Sequence, residues 1–181
     1  GTFEASSSVK EVVNFDIAGT VNATSNVKID YRGNSASKVT ITAGGVYNQT
    51  GGNFWINGGN FVVNGYAKFD KISNTRVGAG EKAVGAVIVD GTYAAANNNN
   101  GKLIINTLSI YQNSKLDVVK GGYIEAGTLS TMKDGTITVD NSTIIANNIN
   151  NSGSVIIKGT STVKVNSNIN GTVIINNGAI L

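Results

Sequence analysis

Residues 115–119 read Lys-Leu-Asp-Val-Val, residues 136–140 read Thr-Ile-Thr-Val-Asp, residues 154–158 read Ser-Val-Ile-Ile-Lys, and residues 172–176 read Thr-Val-Ile-Ile-Asn. These four runs align into columns of apolar residues. One column holds Leu116, Ile137, Val155 and Val173, and the next holds Val118, Val139, Ile157 and Ile175. The step from each run to the next is nearly constant along the chain, and such a step is typical of a solenoid, in which each repeat stacks on the one before.

Two further patterns extend the repeat. A third column is predicted from Ile124, Ile145, Val163 and Leu181. In the first half of the chain, a repeat with a shorter step is predicted from the pairs Val39 and Phe54, Ile41 and Ile56, and Val46 and Phe61. With these steps the whole chain would form on the order of ten stacked turns.

The local patterns favour strands throughout the chain. Short apolar alternations, in which every second residue is apolar, are separated by Gly, Asn, Ser or Asp, and no stretch has a helical period. The hairpin signals Asn57-Gly58, Asp90-Gly91 and Asp134-Gly135 make an antiparallel sandwich the alternative. A sandwich does not require apolar columns at a constant step, whereas a coil of parallel strands does. The sequence therefore predicts an all-β chain that folds as a parallel β-helix.

The repeat predicts one domain over residues 1–181, with irregular loops near 77–86 and 94–100 where strand periodicity is lost. The columns also predict that Ile157 is buried on all sides. Asp140 and Lys158 are predicted to be neighbours in one outward column, where an exposed ion pair would contribute at most about 1 kcal/mol.

Composition excludes several classes of function. The chain contains no Pro, Cys or His, which removes disulfides, thiol chemistry and imidazole chemistry. Its 14 Lys and Arg residues are spread singly, so the net charge of +3 does not form the basic cluster of a nucleic-acid interface. No apolar run is long enough to span a membrane, and we expect no membrane insertion by this chain.

Residues 64–83 read Asn-Gly-Tyr-Ala-Lys-Phe-Asp-Lys-Ile-Ser-Asn-Thr-Arg-Val-Gly-Ala-Gly-Glu-Lys-Ala, and the strands Val-Ile-Val-Asp at 87–90 and Leu-Ile-Ile-Asn-Thr-Leu-Ser-Ile at 103–110 follow. This segment resembles the passenger domains of vacuolating-cytotoxin-like autotransporters, which use type V secretion. The motif Asn74-Thr-Arg-Val-Gly-Ala-Gly80, with Lys82 and Ala83 behind it, carries most of the resemblance.

The resemblance implies a right-handed parallel β-helix (solenoid) that is exported through the outer membrane and is displayed on the bacterial surface or secreted. The absence of Cys is compatible with that route. The apolar N-terminal segment on which the toxin's pore depends has no counterpart here. Pore formation is therefore not expected, and the resemblance assigns no functional residue to any position of this chain.

Four acidic residues lie close together in sequence with four lysines among them: Asp117, Glu125, Asp134 and Asp140, with Lys115, Lys120, Lys133 and Lys158. Paired carboxylates serve glycoside hydrolysis, and parallel β-helices host such enzymes, so a carbohydrate-active β-helix is the alternative function. Asp134 precedes a glycine, as a turn residue would, and Asp140 has a lysine partner, so we expect no catalytic site. The two arginines, Arg32 and Arg76, are expected on distant turns.

Other ligand classes have weaker signals. Acidic residues are too few for repeated calcium sites, so we expect no metal and no cofactor. An ice-binding array would need outward threonines on successive turns, but the column of Thr138 continues as Ile156 and Ile174, which form a partly apolar strip. The aromatic candidates for carbohydrate stacking show no common column in the sequence: Trp55, Tyr47, Tyr66, Tyr93, Tyr111 and Tyr123.

Leu181 completes the third column with no capping segment after it, so we expect the native solenoid to continue as a longer passenger or two ends to meet in self-association. The predicted function is that of a non-catalytic passenger segment, on the bacterial surface or secreted, which mediates adhesion or host interaction. Its expected partner is a protein or glycan of the host cell surface or extracellular matrix. A purely structural stalk is the remaining alternative.

Overall fold

The computed structural model describes residues 2–5, 14–32, 35–70, 72, 74–78, 84–176 and 178–180, with the backbone alone for residues 2–5, 30–32 and 35–36. It contains strands and turns and, within these ranges, no helix. The strands are β1 Thr2–Ala5, β2 Asn14–Ile17, β3 Thr20–Ala23, β4 Val27–Arg32, β5 Ser35–Ile41, β6 Val46–Gln49, β7 Phe54–Asn57, β8 Gly59–Val63, β9 Tyr66–Phe69, β10 Thr75–Val77, β11 Ala86–Asp90, β12 Lys102–Ile110, β13 Lys115–Val119, β14 Tyr123–Thr131, β15 Thr136–Asp140, β16 Thr143–Lys158 and β17 Thr162–Ile175.

The strands coil into a parallel β-solenoid of about seven turns with three sheets. Sheet 1 contains β1, β3, β6, β9 and the first parts of β12, β14, β16 and β17. Sheet 2 contains β4, β7, β10 and later parts of β12, β14, β16 and β17. Sheet 3 contains β2, β5, β8, β11, β13, β15 and the ends of β16 and β17. The predicted parallel β-helix is confirmed, and the antiparallel sandwich is excluded.

The first two predicted columns are confirmed in sheet 3. Leu116 pairs with Ile137, which pairs with Val155, which pairs with Val173. The second column stacks in the same way, and Val139 and Ile157 are both fully buried neighbours in it. Each inward side chain therefore packs on its equivalents in the turns above and below, which gives one continuous core.

The third predicted column is wrong by one position. Ile124 pairs with Ile144, not with Ile145, and Ile144 pairs with Val163. Ile144 is fully buried, whereas Ile145 points outward and is half-buried, because neighbouring residues in a strand face opposite sides of the sheet. Leu181 lies outside the described residues.

The short-step repeat predicted for the first half is also wrong. Val39 and Ile41 pair with Phe61 and Val63, further along the chain than the predicted partners Phe54 and Ile56. Phe54 lies on sheet 2 and Val39 on sheet 3, so the predicted step joined strands of two different sheets rather than equivalent positions. The early turns are longer than predicted, and the described part of the chain therefore makes about seven turns rather than ten.

The core changes character along the axis. The early turns contain a cluster of four aromatic rings with centroids 4.9–6.1 Å apart: Tyr47, Phe54, Phe61 and Phe69. The Tyr47 hydroxyl donates a hydrogen bond to Gln49 Oε1, and Gln49 Nε2 donates to the carbonyl oxygens of Ser25 and Gly51 at 2.7 and 2.5 Å. Later turns are filled by Leu, Ile and Val.

The corners between sheets use left-handed backbone. Asn113, Asp134 and Asn141 have positive φ values of 58°, 62° and 48°, and several glycines share this conformation. Asp134 is thus the turn residue that the sequence predicts. Residues 92–99 are exposed turns between β11 and β12, and of the other predicted loop, residues 79–83 lie outside the described residues.

Candidate functional site

The outer face of sheet 1 carries a column of two tyrosines separated by a lysine. Tyr66 on β9 pairs with Lys102 on β12, which pairs with Tyr123 on β14. All three side chains face outward, because the neighbouring residues in the same strands point inward and fill the core, and all three are half-buried. We call these three residues the tyrosine–lysine column.

Lys102 is held against one of the two rings. Its Nζ lies 5.2 Å from the centroid of the Tyr123 ring, within the range of a cation–π contact. Burial, and then the negative charge of Glu125, raise the pKa of the Tyr123 hydroxyl. The column therefore presents two phenol rings with a lysine between them, a surface suited to flat ligands that carry polar edges.

A second outward column lies two positions further along the same strands. It contains Lys68, Ile104, Glu125, Ile145 and Lys164, which pair in that order from β9 to β17. Lysine, carboxylate and lysine are thus separated by isoleucines, and each charge is about 10 Å from the next at two strand spacings. We call this the mixed column.

A third column follows at the corner between sheets 1 and 2, which we call the amide column: Asp70, Asn106, Gly127, Asn147 and Asn166. Asn166 Nδ2 donates a hydrogen bond to Asn147 Oδ1 at 3.1 Å. Gly127 interrupts the side chains, since a Cβ there would lie 2.5 Å from the backbone oxygen of Asn106. The close approach of two turns therefore requires glycine at this position.

The amide column, together with every residue of the mixed column except Lys164, lines an open groove with a volume of about 480 Å³. Its lining residues lie on or directly after five consecutive strands of sheet 1, so the groove runs along the solenoid axis for four strand spacings, or about 19 Å. The tyrosine–lysine column borders it. The groove is thus an extended lateral surface rather than a closed pocket.

The ion pairs that the structure gives between described side chains lie away from the groove. They are Lys115–Asp117 at 2.8 Å and Lys120–Asp90 at 3.4 Å. Burial raises the pKa of Asp90, but hydrogen bonds from Thr92 and the charge of Lys120 outweigh it, so that this pKa is lowered. The groove carboxylates of Glu125 and Asp70 make no such contact with any lysine that the structure describes, and both residues are exposed.

Only one of the four acidic residues singled out in the sequence, Glu125, lies in the groove. Asp117 is on the outer face of sheet 3, Asp134 is in the turn before β15, and Asp140 ends β15. The predicted register of Asp140 with Lys158 is confirmed, although the Asp140 carboxylate accepts its hydrogen bond from Asn141 Nδ2 at 2.8 Å.

The lysines among those acids are spread in the same way: Lys115 and Lys158 lie on sheet 3, and Lys120 and Lys133 lie in turns. These acids and lysines therefore do not form one cluster.

The prediction that the aromatic residues share no column is wrong for Tyr66 and Tyr123. The step along the chain from Tyr66 to its neighbour Lys102 is long, because β10, β11 and residues 91–101 intervene, and this step conceals the column in the sequence. The remaining tyrosines singled out in the sequence are separate. Tyr47 is buried, Tyr93 is in the exposed turns, and Tyr111 follows β12.

Trp55 belongs to sheet 2, where it pairs with Arg76. The Arg76 guanidinium lies over the Trp55 ring, 4.7 Å from its centroid. For Arg32 the backbone alone is described.

The outer face of sheet 3 carries the predicted strip, in which Thr138 pairs with Ile156 and Ile156 with Ile174. This column therefore does not form a threonine array.

No group of three or more His, Cys, Asp or Glu side chains that could hold a metal ion occurs in the part of the chain that the structure describes. Within the same ranges, no helix has the length and hydropathy needed to cross a membrane.

Comparisons with protein-family models, with curated proteins and with solved structures gave no match. The fold and the groove define this chain as a parallel β-solenoid with an extended lateral surface groove.

Proposed function

We propose that this chain is a non-catalytic segment of a bacterial autotransporter passenger, displayed on the cell surface or secreted, and that it mediates adhesion or host interaction by binding a glycan. The observation that carries the proposal is the outer face of sheet 1, where the tyrosine–lysine column borders a groove of charged, amide and apolar side chains. Sugar rings offer apolar faces to aromatic side chains and hydroxyl groups to amides and charged groups.

Three features support export as a passenger. The chain is a parallel β-solenoid, it contains no Cys, and residues 64–83 resemble the passenger domains of vacuolating-cytotoxin-like autotransporters. A solenoid suits display, since each turn adds about 4.8 Å of length and exposes its side chains laterally. The partner is a glycan of the host cell surface or of the extracellular matrix.

Binding of the purified chain to host cells, matrix components and a glycan panel tests the proposal. Tyr66→Ala and Tyr123→Ala should each weaken glycan binding by about tenfold, because each removes one ring of the column. Tyr123→Leu, which retains apolar bulk, separates the loss of the ring from a packing defect. The matched control is Tyr111→Ala, since Tyr111 lies between sheets 2 and 3, away from the groove.

Each outcome of this assay has a distinct meaning. Glycan binding that depends on Tyr66 and Tyr123 supports the proposal. Cell binding that persists when glycans are removed would identify a protein receptor instead. Release of shortened sugars would identify a carbohydrate-active enzyme, with Glu125 and Asp70 as the carboxylates of the groove to replace first. Failure to bind any cell, matrix component or glycan would leave a structural stalk.

A further inference from the structure

We infer that the groove binds a neutral, linear glycan whose chain runs parallel to the solenoid axis; this inference rests on the proposed function and specifies its ligand. The shape of the groove gives the direction. Its lining residues recur at equivalent positions on five consecutive strands, so outward positions repeat about every 4.8 Å along the axis, and the two isoleucines of the mixed column lie about 10 Å apart. A linear polymer presents a repeating unit to such a surface.

The walls of the groove differ on its two sides. The tyrosine–lysine column provides ring faces on one side, and the amide column provides hydrogen-bond donors and acceptors on the other. The mixed column lies between them, and Ile104 and Ile145 alternate there with charged residues. A sugar chain lying along the groove would place its apolar faces against the tyrosine rings and the isoleucines, and its hydroxyl groups against Lys68, Glu125 and the amides.

The arrangement of charge selects against a charged polymer. Along the mixed column, Lys68 and Glu125 lie in the groove and Lys164 follows just beyond its lining, so a polyanion that contacted both lysines would also pass the central carboxylate. Asp70 adds a second carboxylate near Lys68. A polycation would meet Lys68 in the groove and Lys102 and Lys164 beside it. Hydroxyl groups donate to carboxylates and accept from ammonium groups, so a neutral chain can form hydrogen bonds with groups of either charge.

The experiment measures binding of the whole chain to neutral linear polysaccharides, such as glucan, mannan, galactan and xylan, and to the acidic polysaccharides pectate, alginate and hyaluronan. Monosaccharides, disaccharides and longer linear oligosaccharides of any neutral sugar that binds are then compared. We expect binding to a neutral glycan, affinity that rises with chain length until the groove is filled, and little dependence on salt.

A charge variant tests the role of the central carboxylate. Glu125→Gln keeps the shape of the side chain and should weaken binding of the neutral glycan by about tenfold, because one charge-assisted hydrogen bond becomes neutral. The same change should increase affinity for acidic polysaccharides. Asp117→Asn on sheet 3 is the matched control and should change neither affinity.

The failures are distinguishable. Strong, salt-sensitive binding of acidic polysaccharides alone, or equal affinity for a monosaccharide and a long chain, would overturn this inference while the proposed function stands. Absence of binding to any glycan would overturn both.

Discussion

Replacing Ile157 with alanine tests the direction in which the side chains of β16 point. Ile157 is fully buried between Val139 and Ile175, whereas Ile156, its neighbour in the same strand, faces outward and is only half-buried. Large-to-small replacement of a fully buried isoleucine costs about 2–5 kcal/mol, since the lost transfer free energy adds to the cost of the cavity. At Ile156 the lost apolar contact is smaller, and we expect a cost of about 1 kcal/mol.

The two variants form a matched pair, because the residue type, the strand and the replacement are identical. Urea unfolding followed by far-UV circular dichroism gives the free energy of unfolding, and equal slopes show that the same structure unfolds in each variant. We expect Ile157→Ala to lower the midpoint clearly more than Ile156→Ala. An equal or larger loss at Ile156 would refute the assignment of inward and outward faces in sheet 3.

Three further predictions concern the corner, the core and the loop. Gly127→Ala should destabilise the chain by about 1–3 kcal/mol in urea unfolding, since the Cβ of the alanine would lie 2.5 Å from the Asn106 backbone oxygen. An unchanged midpoint would show that the two turns are not closely stacked at this position. Burial raises the pKa of Tyr47 well above its ordinary value, so Tyr47 ionises at a lower pH in the unfolded state than in the folded state. The free energy of unfolding should therefore fall as the pH rises above about 10. Tyr47→Phe should flatten that fall, and an identical pH profile for the two proteins would contradict a buried phenol. Asn98→Ala should speed proteolysis within residues 91–101, because Asn98 Oδ1 accepts hydrogen bonds from two backbone N–H groups of that segment at 3.0 and 3.1 Å. An unchanged rate of cleavage would contradict the stabilisation of this segment by the Asn98 side chain.

The C-terminal half of the solenoid was predictable because its turns are short and nearly equal in length. The near-constant step places Leu116, Ile137, Val155 and Val173 in one column, and the register agrees. The third column was misplaced because Ile144 and Ile145 are the same residue type, and apolar character alone does not distinguish the inward residue from its outward neighbour.

The N-terminal half was less predictable because its turns vary in length. In sheet 1, Thr20 pairs with Val46 and Val46 pairs with Tyr66, and the second of these steps along the chain is clearly shorter than the first. Runs on different sheets of such a chain can match by chance at a fixed spacing, as Val39 and Phe54 do.

The groove was hidden from the sequence for the same reason. Its tyrosine–lysine column depends on the long step from Tyr66 to Lys102, and the residues that surround Glu125 in space come from strands scattered along the chain. Lys102 and Tyr123, like Ile104 and Glu125, are separated by the same step as Leu116 and Ile137, so this part of the surface did match the repeat found elsewhere.

The stacking that builds the groove can be measured by disulfide formation, since the chain has no cysteine of its own. Lys68 and Ile104 are paired neighbours on adjacent strands of sheet 1, about 4.8 Å apart, although they are distant in sequence. Lys68 and Glu125 are two strands apart, at about 10 Å, which is too far for a disulfide without backbone movement. Under mild oxidation, the double variant Lys68→Cys/Ile104→Cys should form an intramolecular disulfide and Lys68→Cys/Glu125→Cys should not. Cross-linking of the second pair in preference to the first would contradict the register on which the groove depends.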